Sequence, residues 1–347
     1  MKQLVKTLSI LNVLCIFTSL SLAEEESGLS QATCHNTLYP VEINEKWGYI
    51  NAEGEVVLKA TYDKASFFSE GPAAVKKGDN WGYINREGNV VIPFRYEKVE
   101  SFHNGRAVCR RGDKYGFIDK QGNVAIPFKF DHAEDFSNGL AEVFVEGDLL
   151  TGKQGFISRD GEFVIRPQLM LVGRFHEGLA AVTKHDQRKW GYMDKSGKIV
   201  IPARYNSAGI FNEGLACVEF FDLEDGYSVG YINKKGKLVI PAAFVDGKRF
   251  SHGLAPVQKN DLWGFIDTKG NFQIKPQYEE AFPFHDGLAK VFIDEKLGYI
   301  YPDGEYAVEP QFKSGKNFKG KLARVSCEDG RTVYVDREGN IVYPKKE

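Results

Sequence analysis

The chain has little of what most enzyme and metal chemistry is built from. It carries five cysteines, seven histidines and three methionines in 347 residues. No two cysteines form a C-x-x-C pair and none stands in a Cys/His cluster, so zinc and thioredoxin-like chemistry lack a ligand set. Of Cys34, Cys109, Cys217 and Cys327, the middle two fall in strand signals and read as small buried apolar residues. A Cys34–Cys327 disulfide stays open as an expectation, since it would require the two ends of the chain to meet. No P-loop, G-x-S-x-G, H-E-x-x-H or dinucleotide fingerprint occurs. An excess of one charge is missing too. The 45 Lys and Arg nearly balance the 47 Asp and Glu, interleaved throughout, without the basic stripe that a phosphate backbone requires. Nucleic acid is therefore not an expected partner. Helical periodicity is absent, and after the first two dozen residues no apolar run is long enough to cross a bilayer.

The one apolar run opens the chain. Lys2 and Lys6 precede it, Ser21-Leu22-Ala23 close it with a small-x-small pattern, and three glutamates follow. That is the layout of a secretory signal peptide over residues 1–23. The run is short and broken by Asn12, Thr18 and Ser19, which argues against an uncleaved anchor and for a secreted, periplasmic or extracellular protein with no stable transmembrane segment. Cys15 lacks the small residues of a lipoprotein site. Residues 24–37 are polar and acidic and read as a flexible leader, and residues 345–347 as a charged tail.

What fills residues 38–344 is a single repeated unit. From Gly82 the chain meets Gly88, Ile92, Tyr96, Phe102 and Gly105; from Gly48 the same offsets give Gly54, Leu58, Tyr62, Phe68 and Gly71. The register recurs from Gly116, Gly155, Gly191, Gly230, Gly264 and Gly298, and the last unit is degenerate. Each unit holds three short strand signals, such as Ala73–Val75, Trp81–Ile84 and Val90–Pro93. A polar turn ending in glycine joins the second to the third, and that glycine suits positive φ. The proline at the end of the third signal is expected to stop its ladder. Both strand faces are apolar, so neighbouring units must cover one another. The phenylalanine stripe from Phe68 to Phe318 and the tryptophans are expected in the core, because Tyr115, Gln154, Val229 and Leu297 replace tryptophan in other units.

The motif W-G-Y-I-D-x-x-G-x-x-V-I-P-x-x-Y followed by F-x-E-G-L-A resembles the WG-repeat, or KWG-repeat, family over essentially all of residues 38–344. The resemblance implies a bacterial, β-rich repeat scaffold and brings no catalytic residue to carry over. Thr332 and Val333 depart from Trp and Gly in the final unit.

The expected fold is all-β: about eight to nine three-stranded antiparallel meanders stacked in an open, curved or superhelical array. A closed β-propeller is the alternative, set second because the units are more numerous and smaller than the usual blades. All length variation falls in the loop before the WG strand. Insertions at residues 146–154, 185–189 and 221–227 put Asp148, Lys153, His185, Asp222, Glu224 and Asp225 on one edge as candidate binding residues. The expected function is an exported, non-catalytic scaffold for a protein or cell-envelope polymer. The alternative is a secreted hydrolase drawing acids from those loops. No cofactor or metal is expected: His103, His176, His252 and His285 recur at one place but on separate units. If units depend on their neighbours, residues 81–113 produced alone will show no cooperative thermal transition by circular dichroism.

Overall fold

The computed structural model describes residues 37–147, 152–168, 170–184, 189–222 and 226–345. The predicted signal peptide, most of the leader and Cys34 lie outside the described residues. Among these residues the strands form nine antiparallel sheets, eight of four strands and the first of three, each a simple meander in chain order. Blade 2 comprises Lys64–Phe68, Ala73–Lys77, Asn80–Ile84 and Val90–Tyr96; blade 3 comprises Lys98–Val99, Ala107–Arg111, Lys114–Ile118 and Val124–Phe130. Blade 1 starts at Tyr39–Ile43, and blade 9 ends at Ile341–Tyr343.

Two local expectations change. The link after each outer strand is itself paired: Val99 opposes Cys109 and Ala133 opposes Val143, which makes a short fourth, innermost strand. The proline does not end its ladder either. The outer strand runs on, with Tyr83 opposite Ile92 and Trp81 opposite Tyr96, so a bulge containing Pro93 lies between those pairs. The bulge explains the glycine of each WG pair. A Cβ at Gly82 would stand 2.7 Å from the Ile92 carbonyl oxygen, and one at Gly116 2.8 Å from that of Ile126. Blade 9 tolerates Val333 there because its outer strand ends at Tyr343, opposite Tyr334, and never returns to the preceding position. Outer strands leave Val90 and Val91 51% and 40% exposed, and the bulge and proline blunt that free edge.

The expected open array is overturned. The blades close into a nine-bladed β-propeller, and the seam repeats the contacts of every other blade boundary. The aromatic residue of each third strand packs on a phenylalanine of the next blade: Tyr49 on Phe68, Tyr83 on Phe102, Phe117 on Phe136, through to Tyr299 on Phe318. The eight pairs have ring centroids 4.7–5.2 Å apart. The ninth is Tyr334 on Tyr39, at 5.7 Å, which joins the last blade to the first. Where the third-strand ring is tyrosine, its hydroxyl donates to the neighbouring inner segment, as Tyr83 does to the Glu100 carbonyl at 2.8 Å and Tyr231 to that of Lys248 at 2.9 Å. Tyr334 donates to the Pro40 carbonyl at 2.7 Å, and Tyr39 to that of Lys319 at 2.9 Å.

The turn glycines tell the same story. Each, at positive φ, packs on the outer strand of the preceding blade: Gly122 faces Ile92, Gly161 Ile126, and Gly304 Ile274. Gly54 of blade 1 faces Val342 of blade 9. An open stack would leave all these seam contacts unmade, and three-stranded units had too few strands only because the innermost was read as a link.

Removing one seam hydroxyl is expected to cost about 1–2 kcal/mol by stranding a buried carbonyl. Tyr334→Phe and Tyr231→Phe should lower stability alike, because seam and interior boundaries are equivalent in a closed ring. Tyr39→Ala, which empties a fully buried ring position, should cost about 3–5 kcal/mol. Urea midpoints measure all three, and a Tyr39→Ala midpoint equal to wild type would contradict closure.

Candidate functional site

Each inner strand leads into a link built on one phenylalanine. Phe102 is fully buried against the blade before it, so in extended chain its neighbours Ser101 and His103 turn the other way, toward the centre of the ring. The residue after the phenylalanine often ties the blades together. Ser69 Oγ donates to the Phe102 carbonyl at 2.7 Å, Asn212 Nδ2 to that of Phe250 at 2.6 Å, and Ser251 Oγ to that of Phe284 at 2.7 Å. His176 and His285 do this through Nδ1, at 2.6 and 3.1 Å from the Phe211 and Phe318 carbonyls. His103 stands 3.6 Å from Asp135. Among the described residues no group of three or more His, Cys, Asp or Glu side chains is placed to hold a metal.

At the closing seam the channel wall opens into a cavity of about 580 Å³. Its walls come from blades 8, 9, 1, 2 and 3, with His285 and His103 at the two extremes. Lys316, Lys319 and Arg324 line it, as do Trp47, Phe67 and Tyr334. Lys319 Nζ lies 4.3 Å over the Phe67 ring, and the Arg324 guanidinium 5.2 Å over Trp47. No Asp or Glu lines this cavity. Burial holds the Lys319 ammonium below the usual lysine range, with Asp286 acting weakly against it. Lys290, on the second strand of blade 8, is lowered in the same way, by burial and then by Lys316. Its Nζ lies 4.4 Å over Phe282, and Lys248 Nζ lies 4.0 Å from the same ring.

Acids gather on blades 3 and 4. Burial pushes the Asp135 carboxyl up to about 6, with His103 opposing and Glu100 adding. It pushes Glu142 up to about 7, reinforced by Glu134. Glu134 itself is held low by His132 at 2.9 Å and by Arg174 at 2.6 Å. Gln154 explains why this blade lacks the tryptophan. Its Nε2 donates to Glu142 and to the Val172 carbonyl, both at 2.6 Å, and its Oε1 accepts from Val172 N at 2.8 Å, so it stitches blade 4 to the inner strand of blade 5.

The family model described as "WG containing repeat" matches eight times, at residues 47–81, 81–115, 115–147, 155–187, 190–220, 230–263, 263–296 and 298–330. The chain belongs to the WG-repeat family. Each match starts on a WG strand and runs into the second strand of the following blade, so the sequence repeat straddles two blades. No curated protein matches the chain by sequence. Among solved structures, apo AztD from Citrobacter koseri is similar at 12% identity, over 88% of this chain and 92% of that one, with a TM-score of 0.42. Hsv2p from Kluyveromyces lactis is similar at 11% identity, over 78% and 95%, with a TM-score of 0.39.

Of the insertion-edge residues, the two described ones, Lys153 and Asp222, lie at hairpins joining second to third strands in the WG-repeat ring and do not line this cavity. Lys153 begins the third strand of blade 4 and pairs with Glu146; Asp222 ends the second strand of blade 6, opposite Gly226, and is exposed. The two stand two blades apart. Asp148, His185, Glu224 and Asp225 lie outside the described residues. The cavity residues were missed from sequence, although a signal existed. Arg324 stands where other units carry Ala74, Val108 or Ala181, and Lys319 where they carry Ser69, Ser137 or Asn212.

Glu142 generates a pH prediction. Its folded pKa is raised, so between the unfolded value near 4.5 and about 7 the native state binds a proton that the unfolded chain has lost. Stability from this group therefore falls as pH rises through that window. Glu142→Gln should leave stability unchanged at pH 4 and raise it by up to about 3 kcal/mol at pH 8. The difference between the two urea-denaturation pH profiles is the measurement.

Proposed function

We propose that this WG-repeat ring is an exported, non-catalytic binding protein that engages a protein or polymer of the cell envelope through its central channel. The reading is supported most directly by the seam cavity, where three cations of blade 9 converge with aromatic rings of blades 1, 2 and 9 and no Asp or Glu lines the wall. Export rests on the pattern of residues 1–23. The insertion-edge hairpins form the competing surface on the same scaffold.

The test separates channel from hairpins. The mature chain, residues 24–347, is immobilised and exposed to an envelope extract divided into protein and protease-digested polymer fractions. Ser101→Trp, which crowds the cavity, is expected to lose capture of whichever fraction binds. Shortening residues 146–154 and 221–227 to the length of residues 76–80 is expected to retain it. Capture that survives Ser101→Trp and disappears with the shortened hairpins would move the binding surface to the hairpin edge.

A second reading, hydrolysis of a glycan or peptide, is favoured by Asp135 and Glu142. Carboxyls that titrate near neutrality inside a channel suit general acid–base chemistry. These acids come from blade 4, not from the inserted loops. Release of reducing ends or free amines from the polymer fraction, lost in Asp135→Asn, would favour this reading; wild-type protein that releases neither sinks it.

A further inference from the structure

Like charges gathered along one cavity wall repel one another unless something of opposite charge meets them; here Arg324 is half-buried, and Lys316 and Lys319 are exposed to the solvent that fills the cavity. At the seam, Lys316, Lys319 and Arg324 share one cavity and form no ion pair with a carboxylate among the described residues. This occurs in a chain whose acids slightly outnumber its bases, and where Arg174 is paired with Glu134 and Lys248 with Glu280. The carboxylate nearest in effect, Asp286, is committed to the Gly320 amide at 3.0 Å. The cations are instead held by ring faces, Lys319 by Phe67 and Arg324 by Trp47. A ring face fixes a cation from one side and uses none of its N–H donors in a conventional hydrogen bond. His285 adds to the set: its Nδ1 is bound to the Phe318 carbonyl, which orients the ring within the cavity wall.

We propose that this cavity is an oxyanion site. It takes a phosphate or carboxylate group, with the planar fork of Arg324 supplying paired donors and Lys316 and Lys319 acting as point charges. The inference deepens the channel-binding reading and rests on it for biological context. The recognised group is the same whether a small free ligand or a segment of anionic polymer carries it. The cavity spans five blades and has room for more than one such group.

The experiment is calorimetric titration of the mature chain at low ionic strength, where screening is weakest, with pyrophosphate, citrate and long-chain polyphosphate as separate probes. Saturable binding of at least one probe is expected. Arg324→Ala and Lys319→Ala should each weaken it at least tenfold, Arg324→Lys should weaken it less, and Lys259→Ala, on a hairpin at the opposite edge, should change nothing. Thermal melts accompany each variant, and Arg324→Lys, which keeps charge and stem, serves as the decisive variant if Arg324→Ala does not fold. Stronger binding of polyphosphate per site than of pyrophosphate assigns the group to a polymer, and the reverse assigns it to a small ligand. No saturable binding by any probe, or binding unaltered in all three cavity variants, overturns the site. Absence of any envelope capture by the unmodified mature chain, with pyrophosphate binding intact, would instead overturn the channel reading and leave the site standing.

Discussion

One aromatic contact carries the architecture. A ring on the WG strand of each blade meets a phenylalanine on the inner segment of the next eight times, and at the ninth boundary Tyr334 meets Tyr39 instead. The contact buries the largest side chains of both blades, and it does so only between blades. A single sheet of this size cannot bury its own faces, so it is ordered by its neighbours. That dependence makes an open end expensive, since a terminal blade would expose the same apolar face that every internal boundary hides. Closure removes both ends at once. Among the described residues it uses no shared strand: blade 1 and blade 9 are each contiguous in sequence, and tyrosine hydroxyls on backbone carbonyls and the packing of Gly54 on Val342 join them.

Most of this was legible in the residues, and the exceptions have physical causes. Each repeated offset from Gly82 to Gly105 has a place: bulge contact, turn, packing on the next blade's turn, outer-strand end, aromatic pair, link. The innermost strand was invisible because Lys98–Val99 is too short to show a period of two. Closure stood second to an open array because a repeat fixes the rotation between neighbours only through side-chain geometry, and a constant rotation generates rings and superhelices alike. The decisive mark was a single residue. Tyr39 occupies the position at which Ala73, Ala107, Ala141 and their counterparts stand, and its bulk fills the space that a phenylalanine from a preceding inner segment fills elsewhere. Blade 1 has no such segment among the described residues, and Tyr39 stands in for it.

The candidate site was out of reach for a related reason. Trp47, Phe67, His103, His285 and Arg324 are scattered across the length of the chain and share a cavity only because the ends meet. Sequence reasoning looked for variation in length and found the hairpins. The channel varies in chemistry at constant length, which an alignment of units by glycine and phenylalanine passes over.

The two kinds of position divide the labour within each unit. The phenylalanine is fixed because it is clamped between blades, while the residue just before it faces the channel and makes no demand on packing. Around the ring that second position reads Phe67, Ser101, Asp135, Arg174, Ile210, Arg249, Pro283 and Asn317. Every class of side chain appears in eight steps on a backbone that hardly changes. A scaffold whose stability resides in one contact per boundary leaves its inner wall free to take any charge pattern. Here acids gather on blades 3 and 4 and bases on blades 7 to 9, nearly opposite in a nine-membered ring. Low-dielectric walls between them focus the resulting field along the channel. On the oxyanion proposal, that field would draw an anionic group toward the seam.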